Sequence, residues 1–220
     1  MSKSSVVIVS AKRTPSGAFQ GDLSSCKATD LGAAAIKATL DGFDCEIDEV
    51  MMGCVLPAGL GQAPARQAAL GAGLPDSTPC VTVNKMCGSG MKTIMLAHDS
   101  ILAGTNDIVV AGGLESMTNS PYLLEKARSG YRMGHGKVLD HMFLDGLEDA
   151  YEGKLMGVYA EETAQKYQFT RDAQDKFAIT SLERAKRATE DGTFADEITA
   201  VTCRSGKVEK TVTHDEAPLK

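Results

Sequence analysis

Val81-Thr82-Val83-Asn84-Lys85-Met86-Cys87-Gly88-Ser89-Gly90-Met91-Lys92 runs a β-branched strand into a cysteine, then a serine flanked by two glycines, then a helix. Cys87 therefore falls at a strand-to-helix turn, near a helix N-terminus. Unsatisfied N–H groups and the helix dipole favour negative charge there, whether on a sulfur or on a developing oxyanion. Gly88 and Gly90 carry no side chains, so a substrate carbonyl can come close to the backbone. An activated thiol beside N–H donors is what nucleophilic acyl transfer requires. The competing reading is a small buried hydrophobe next to a tight turn, and for most cysteines that reading is the better one. It is assigned here to the other five: Cys80 in a strand, Cys26 and Cys45 in polar surroundings, Cys54 and Cys203 in β-type runs.

On either side of this stretch, strand and helix patterns alternate. Val6 to Ser10 reads as a buried first strand, followed by a loop at Lys12 to Gly17. A helix capped by Thr29 or Asp30 covers Leu31 to Leu40. Glu49 to Leu56 is a strand, Ala65 to Ala72 a helix, and Cys80 to Val83 a strand. Gly90 to Ala103 is a helix with apolar residues Met91, Ile94, Met95, Ile101 and Leu102 at helical spacing. Ile108 to Ala111 is the next strand. Such alternation predicts an α/β fold with a mostly parallel sheet. After Met117 the chain turns rich in Gly, Met, His and charge, as in an excursion from the sheet. Thr170 caps a long helix over Arg171 to Glu190. Glu197 to Cys203 and Val208 to Val212 read as strands joined by a turn at Gly206. The close at Ala217-Pro218-Leu219-Lys220 has no cap or final element, and reads as a cut.

The bulk properties exclude several classes. The 220 residues carry a net charge of -6, which argues against a nucleic-acid binder. The six cysteines form no C-x-x-C pair and no cluster with histidine at metal-ligand spacing, so no metal site is expected. No signal, transit or membrane-spanning segment is visible. These features predict a reduced, cytoplasmic protein away from membranes. Lys12-Arg13 reads as a solvated loop, Arg66 as a structural ion pair at the subunit interface, and Glu115 as a hydrogen-bonded strand end. Met86, Met91 and Met95 read as core filling. His98, His135, His141 and His214 read as exposed or structurally satisfied imidazoles.

Asn84-Lys85-Met86-Cys87-Gly88-Ser89-Gly90 resembles the active-cysteine signature of the thiolases. So do Ala11 to Pro15, Gly61 to Gln67, Val110 to Met117 and Met156 to Glu161, in the family's order. Within the family, the likeness is to the short-chain acetoacetyl-CoA thiolases, the acetyl-CoA acetyltransferases. The resemblance implies a thiolase-like αβαβα layered fold, here its first half with part of an inserted loop domain. Residues 1–117 would be the N-terminal α/β domain carrying the nucleophile. Residues 118–220 would be the partial loop domain, with a tetramerisation loop around Tyr131 to Asp140. Cys87 would take the acyl group as a thioester, with its backbone N–H as an oxyanion donor. Leu147, Leu155 and Met156 would line the coenzyme A channel, Leu155 standing where some relatives have a histidine. Coenzyme A and acetyl-CoA would be substrates, with no tightly bound cofactor.

The family's Gly-His-Pro block, Asn-Glu-Ala-Phe block and second reactive cysteine have no counterpart in these residues. The resemblance therefore implies a complementary C-terminal half as partner, in a homodimer or homotetramer. The expected reaction joins two acetyl-CoA into acetoacetyl-CoA, or reverses it, in fatty-acid or ketone metabolism. Alternatives are an incomplete module that only binds, a longer-chain 3-ketoacyl-CoA thiolase, and a ketoacyl synthase. Met86 and the Met156-Gly157 segment favour the coenzyme A enzymes over the synthase.

Overall fold

A computed structural model describes residues 5–205 and 207–219. Its centre is β1 (Glu49–Gly53), flanked by β2 (Cys80–Val83) and β3 (Val109–Gly113) in the order β2-β1-β3. Both pairings are parallel, with Val50 opposite Cys80 and Val110. β1 can occupy the middle because it is apolar on both faces: Val50, Met51 and Met52 are all buried. The helices between the strands, α1 (Ala28–Thr39), α2 (Pro64–Gly71) and α3 (Ser89–Leu102), supply the cover. Val50 and Met52 pack with Ile36 of α1 and with Ala65, Ala68 and Ala69 of α2. α3 lies over the opposite face, against β1 and β3. The predicted α/β class and parallel sheet are thus observed.

Helix and strand ends differ from their predicted places for local reasons. α1 starts at Ala28, three residues early, because the Asp30 carboxylate serves at its third position and accepts the Lys27 N–H. β1 stops at Gly53, and residues 55–56 turn away onto a side chain described below. The run at Val6–Ser10 forms no strand: Val7, Ile8 and Val9 are exposed. A β-branched run needs a ladder partner, and β3 ends the sheet with its outer edge unpaired among the described residues. Arg13 is not a solvated loop residue. Its guanidinium forms a bidentate pair with Asp215 and a bond to Glu197, and stacks over Phe194.

After β3 the chain makes a short antiparallel pair, β4 (Tyr122–Leu123) with β5 (Leu139–Asp140), bracketing an exposed loop. A π-helical turn follows at Phe143–Leu147, and then α4 (Met156–Lys166), a helix that weak periodicity did not reveal. α5 (Arg171–Glu190) matches its predicted limits, and the Thr170 hydroxyl accepts the Ala173 N–H as a cap. β6 (Val201–Ser205) starts four residues later than the predicted strand and pairs antiparallel with β7 (Val208–Val212). The predicted turn at Gly206 and the terminal Lys220 lie outside the described residues.

The hairpin returns to the start of the chain, where Val201, Cys203 and Val212 pack with Leu23 and Cys26. Cys26 and Cys203 are joined there as a disulfide, which corrects the expectation of a wholly reduced chain. The pair is 177 residues apart in sequence, a proximity that only the folded topology creates. No helix among the described residues is long and apolar enough to cross a membrane.

Candidate active site

β2 delivers Val83 to a turn, and α3 leaves it at Ser89 with Gly88 as the N-cap. Cys87 stands between them, exposed, at the predicted strand-to-helix elbow. The elbow depends on an unusual backbone at Met86, whose φ of 48° lies in the left-handed region that bulky residues avoid. Asn84 turns its Oδ1 to accept the Met86 N–H at 2.9 Å. Ser89 does more, because its Oγ accepts the Lys85 N–H at 2.8 Å and donates to the Met86 carbonyl at 2.6 Å. The Ser89 N–H reaches the same carbonyl at 3.0 Å. The elbow also sits tight on the sheet: a Cβ on Gly53 would come within 2.6 Å of the Ser89 Cβ. Glycine at 53 is therefore what lets the start of α3 approach the end of β1. Farther along α3, the buried Thr93 hydroxyl bonds the Gly112 carbonyl at 2.9 Å, tying the helix to β3.

The side of α3 facing the sheet is built from Ser89, Thr93 and Ala97. The large apolar residues point the other way. Met91 is 65% exposed, and Ile94, Met95 and Leu102 are about half exposed. Met86 is exposed as well, so these methionines do not fill the core of the described residues.

Glu115 follows the end of β3 and closes the neighbouring corner. Its carboxylate accepts the Val55 N–H at 2.8 Å, the Leu56 N–H at 3.1 Å and the Cys54 thiol at 3.6 Å. This draws residues 55–56 out of the ladder, while the Cys54 N–H still reaches the Val83 carbonyl at 3.0 Å. Burial first, then the nearby Glu115 charge, pushes the Cys54 thiol up to about 12. Cys54 is therefore held as a neutral thiol, and it is buried where Cys87 and Cys45 are exposed. Arg66 bonds the Asp76 carbonyl at 2.9 Å and makes no ion pair among the described residues.

Leu147, Leu155 and Met156 come together around a bridge between Glu148 and Leu155 that closes residues 148–155 into a loop. Asp149 holds that loop, accepting the Tyr151 and Glu152 N–H groups. Leu155 and Met156 are partly exposed, and Leu147 ends the π-helical turn. No hydrogen bond or ion pair among the described residues joins this cluster to the elbow. His141 is buried. Its Nε2 accepts the Ala58 N–H at 3.4 Å and its Nδ1 bonds Asp145 at 2.5 Å, so it locks the excursion to the segment after β1. His98, half exposed on α3, contacts Asp99, and the exposed His214 contacts Thr213. Among the described residues no group of His, Cys, Asp or Glu could hold a metal ion.

The elbow was readable from the sequence; the Ser89 and Asn84 contacts that hold it were not singled out. Their signal is present in the spacing: an Asn two residues before the strained position and a Ser at the first position of the helix.

Comparison with known proteins gives the family of the chain. The family model described as "Thiolase, N-terminal domain" matches residues 6–220. The chain is 50% identical over 217 residues to acetyl-CoA acetyltransferase IB of Candida tropicalis, covering 96% of this chain and 54% of that protein. It is 52% identical over 205 residues to acetyl-CoA acetyltransferase 2 of Arabidopsis thaliana, covering 92% and 51%. With an acetyl-CoA acetyltransferase of Pseudomonas aeruginosa the identity is 50% over 199 residues, covering 89% and 51%. The chain spans about half the length of the curated relatives it matches.

Proposed function

The chain belongs to the thiolase family, and from that premise we propose that it supplies the nucleophile of an acetyl-CoA C-acetyltransferase. The observation that carries the proposal is the exposed Cys87 on its strained elbow, one residue before the N-cap of α3. The Cys87 sulfur attacks the carbonyl carbon of acetyl-CoA, and the tetrahedral oxyanion is stabilised by backbone N–H groups, that of Cys87 among them. Collapse forms an acetyl-cysteine thioester and releases the coenzyme A thiolate, which takes up a proton. A second acetyl-CoA then loses an α-proton to a base, and its carbanion attacks the thioester. Acetoacetyl-CoA leaves and the Cys87 sulfur is regenerated; thiolysis is the same path reversed.

The roles of base and proton donor go to a complementary C-terminal half, in keeping with the relatives' doubled length. In this reading residues 1–117 carry the chemistry, and residues 118–220 carry the oligomer loop and part of the coenzyme A channel at Leu147, Leu155 and Met156. The assembly is a dimer or tetramer without a tightly bound cofactor, working in the cytoplasm.

The test is intact mass and peptide mapping after incubation of the assembled protein with acetyl-CoA. An added acetyl group should sit on the peptide containing Cys87 and should be absent in Cys87→Ser, which still binds coenzyme A. Equal acetylation of both proteins, or acetylation mapped to another cysteine, would refute the assignment.

A further inference from the structure

We propose that Ser89 is a positioning residue for Cys87: its hydroxyl locks Met86 in the left-handed conformation that aims the sulfur. The inference rests on the reading of Cys87 as nucleophile and extends it to the group that holds the nucleophile in place.

A non-glycine residue in the left-handed region is strained by roughly 1–3 kcal/mol and persists only where its surroundings over-determine it. At Met86 (φ 48°) the surroundings are identifiable. The Ser89 hydroxyl spans the turn, taking the Lys85 N–H before Met86 and giving its own proton to the Met86 carbonyl after it. Lys85 lies before the Met86 dihedrals and Ser89 after them, so rotating Met86 towards negative φ breaks the Lys85 contact, while the bond to the Met86 carbonyl keeps the hydroxyl oriented within the turn. The hydroxyl is itself fixed, because Ser89 is only 4% exposed and is wedged against Gly53. Asn84 adds a contact from the exposed side, at the Met86 N–H. Cys87 is bonded directly to Met86, so the direction of its Cα–Cβ bond and of its N–H follows the Met86 dihedrals. Without the Ser89 hydroxyl, Met86 relaxes and the sulfur loses its fixed position relative to the oxyanion donors. A misplacement on the order of 1 Å costs roughly a hundredfold in rate.

The test is made in the assembled thiolase, these residues with the complementary half. Ser89→Ala should lower the rate of Cys87 alkylation by limiting iodoacetamide, and kcat, by about tenfold or more, leaving KM for acetyl-CoA within about twofold. Met86→Gly distinguishes positioning from plain structural support, because glycine takes positive φ without strain. With Met86→Gly already present, Ser89→Ala should cost less than about threefold. A Ser89→Ala protein that melts at lower temperature but labels Cys87 at the unmutated rate would overturn the proposal. So would an equal loss with and without Met86→Gly. If Ser89→Ala does not fold, Asn84→Ala, at an exposed site, is read by the same criteria, and an unchanged labelling rate there counts against the clamp. Failure of the unmutated protein to label at Cys87 at all would instead sink the nucleophile reading.

Discussion

The Glu115 carboxylate holds two backbone N–H groups and the Cys54 thiol, and this makes Cys54 a group whose proton matters to stability. The thiol rises from its ordinary 9.0 to about 12, chiefly through burial and then through the Glu115 charge. The folded protein thus binds this proton more tightly than the unfolded chain does. The contribution is intact below pH 9 and is lost as pH climbs from there through about 12. Unfolding free energies from urea titrations across that window should therefore fall more steeply for the unmutated protein than for Cys54→Val, by about 3 kcal/mol at pH 11. Parallel curves would show that Cys54 ionises as readily folded as unfolded. Sequence position alone says that a glutamate closing a buried strand needs partners. It does not say which, because the donors sit about sixty residues away, at the end of a strand whose neighbour had first to be established. Cys87 was legible for the opposite reason: everything that exposes it, from Val81 to Gly90, is local.

At the scale of elements, the join between the beginning and end of the chain hangs on the Arg13 guanidinium. Asp215 is 8% exposed and receives both the paired Arg13 N–H groups and the Ser16 N–H. The Arg13 hydrogen bond, more than any other cause, holds its carboxyl below the usual 3.8. Arg13→Ala leaves that carboxylate buried without its counter-charge. It should lower stability by about 2 kcal/mol, less than a fully buried pair because Arg13 is itself about a third exposed. The Asp215 contribution is present above pH 3.8 and disappears as pH falls through the lower folded value. The stability difference between the unmutated protein and Asp215→Asn should accordingly shrink on acidification below that point, as followed by thermal melts from pH 6 down. A difference that stays constant would show the pair contributes nothing. None of this clasp, nor the Cys26–Cys203 disulfide beside it, could be read from periodicity, since the partners lie 202 and 177 residues apart. The parallel sheet and the helices α1, α2, α3 and α5 could be, because their signals are written within a dozen or so residues. The strand expected at Val6–Ser10 shows the limit of such signals. Composition can mark a segment as fit for a ladder, but only topology provides the neighbouring strand.

At the scale of the molecule, α3 carries its large apolar residues on the wrong side for a protein complete in these 220 residues. Its sheet-facing positions are small, and they let the elbow settle on Gly53. Its outward face presents Met91, Ile94, Met95 and Leu102, all about half exposed or more. Leaving each such side chain in water forgoes about 1.5–3 kcal/mol relative to burial. Four of them together are comparable with the whole stability of a typical domain, roughly 5–15 kcal/mol. Contiguous exposed apolar surface of this kind marks an interaction site or an aggregation liability. The relatives run to about twice this length, and in the reading proposed for Cys87 the base comes from outside these residues. The complementary half proposed above would answer both, covering the α3 stripe and completing the chemistry proposed for Cys87. Residues 1–220 expressed alone should therefore bind a hydrophobic dye, associate in light scattering and show no thiolysis. Mixed with the complementary half, they should become monodisperse and active. Met91→Glu with Met95→Glu, chosen on the outward face and away from the elbow contacts, should improve the solubility of the isolated piece and abolish its assembly. A monodisperse and active preparation of the isolated piece would mean that α3 faces solvent in the working protein and that the base lies within these residues.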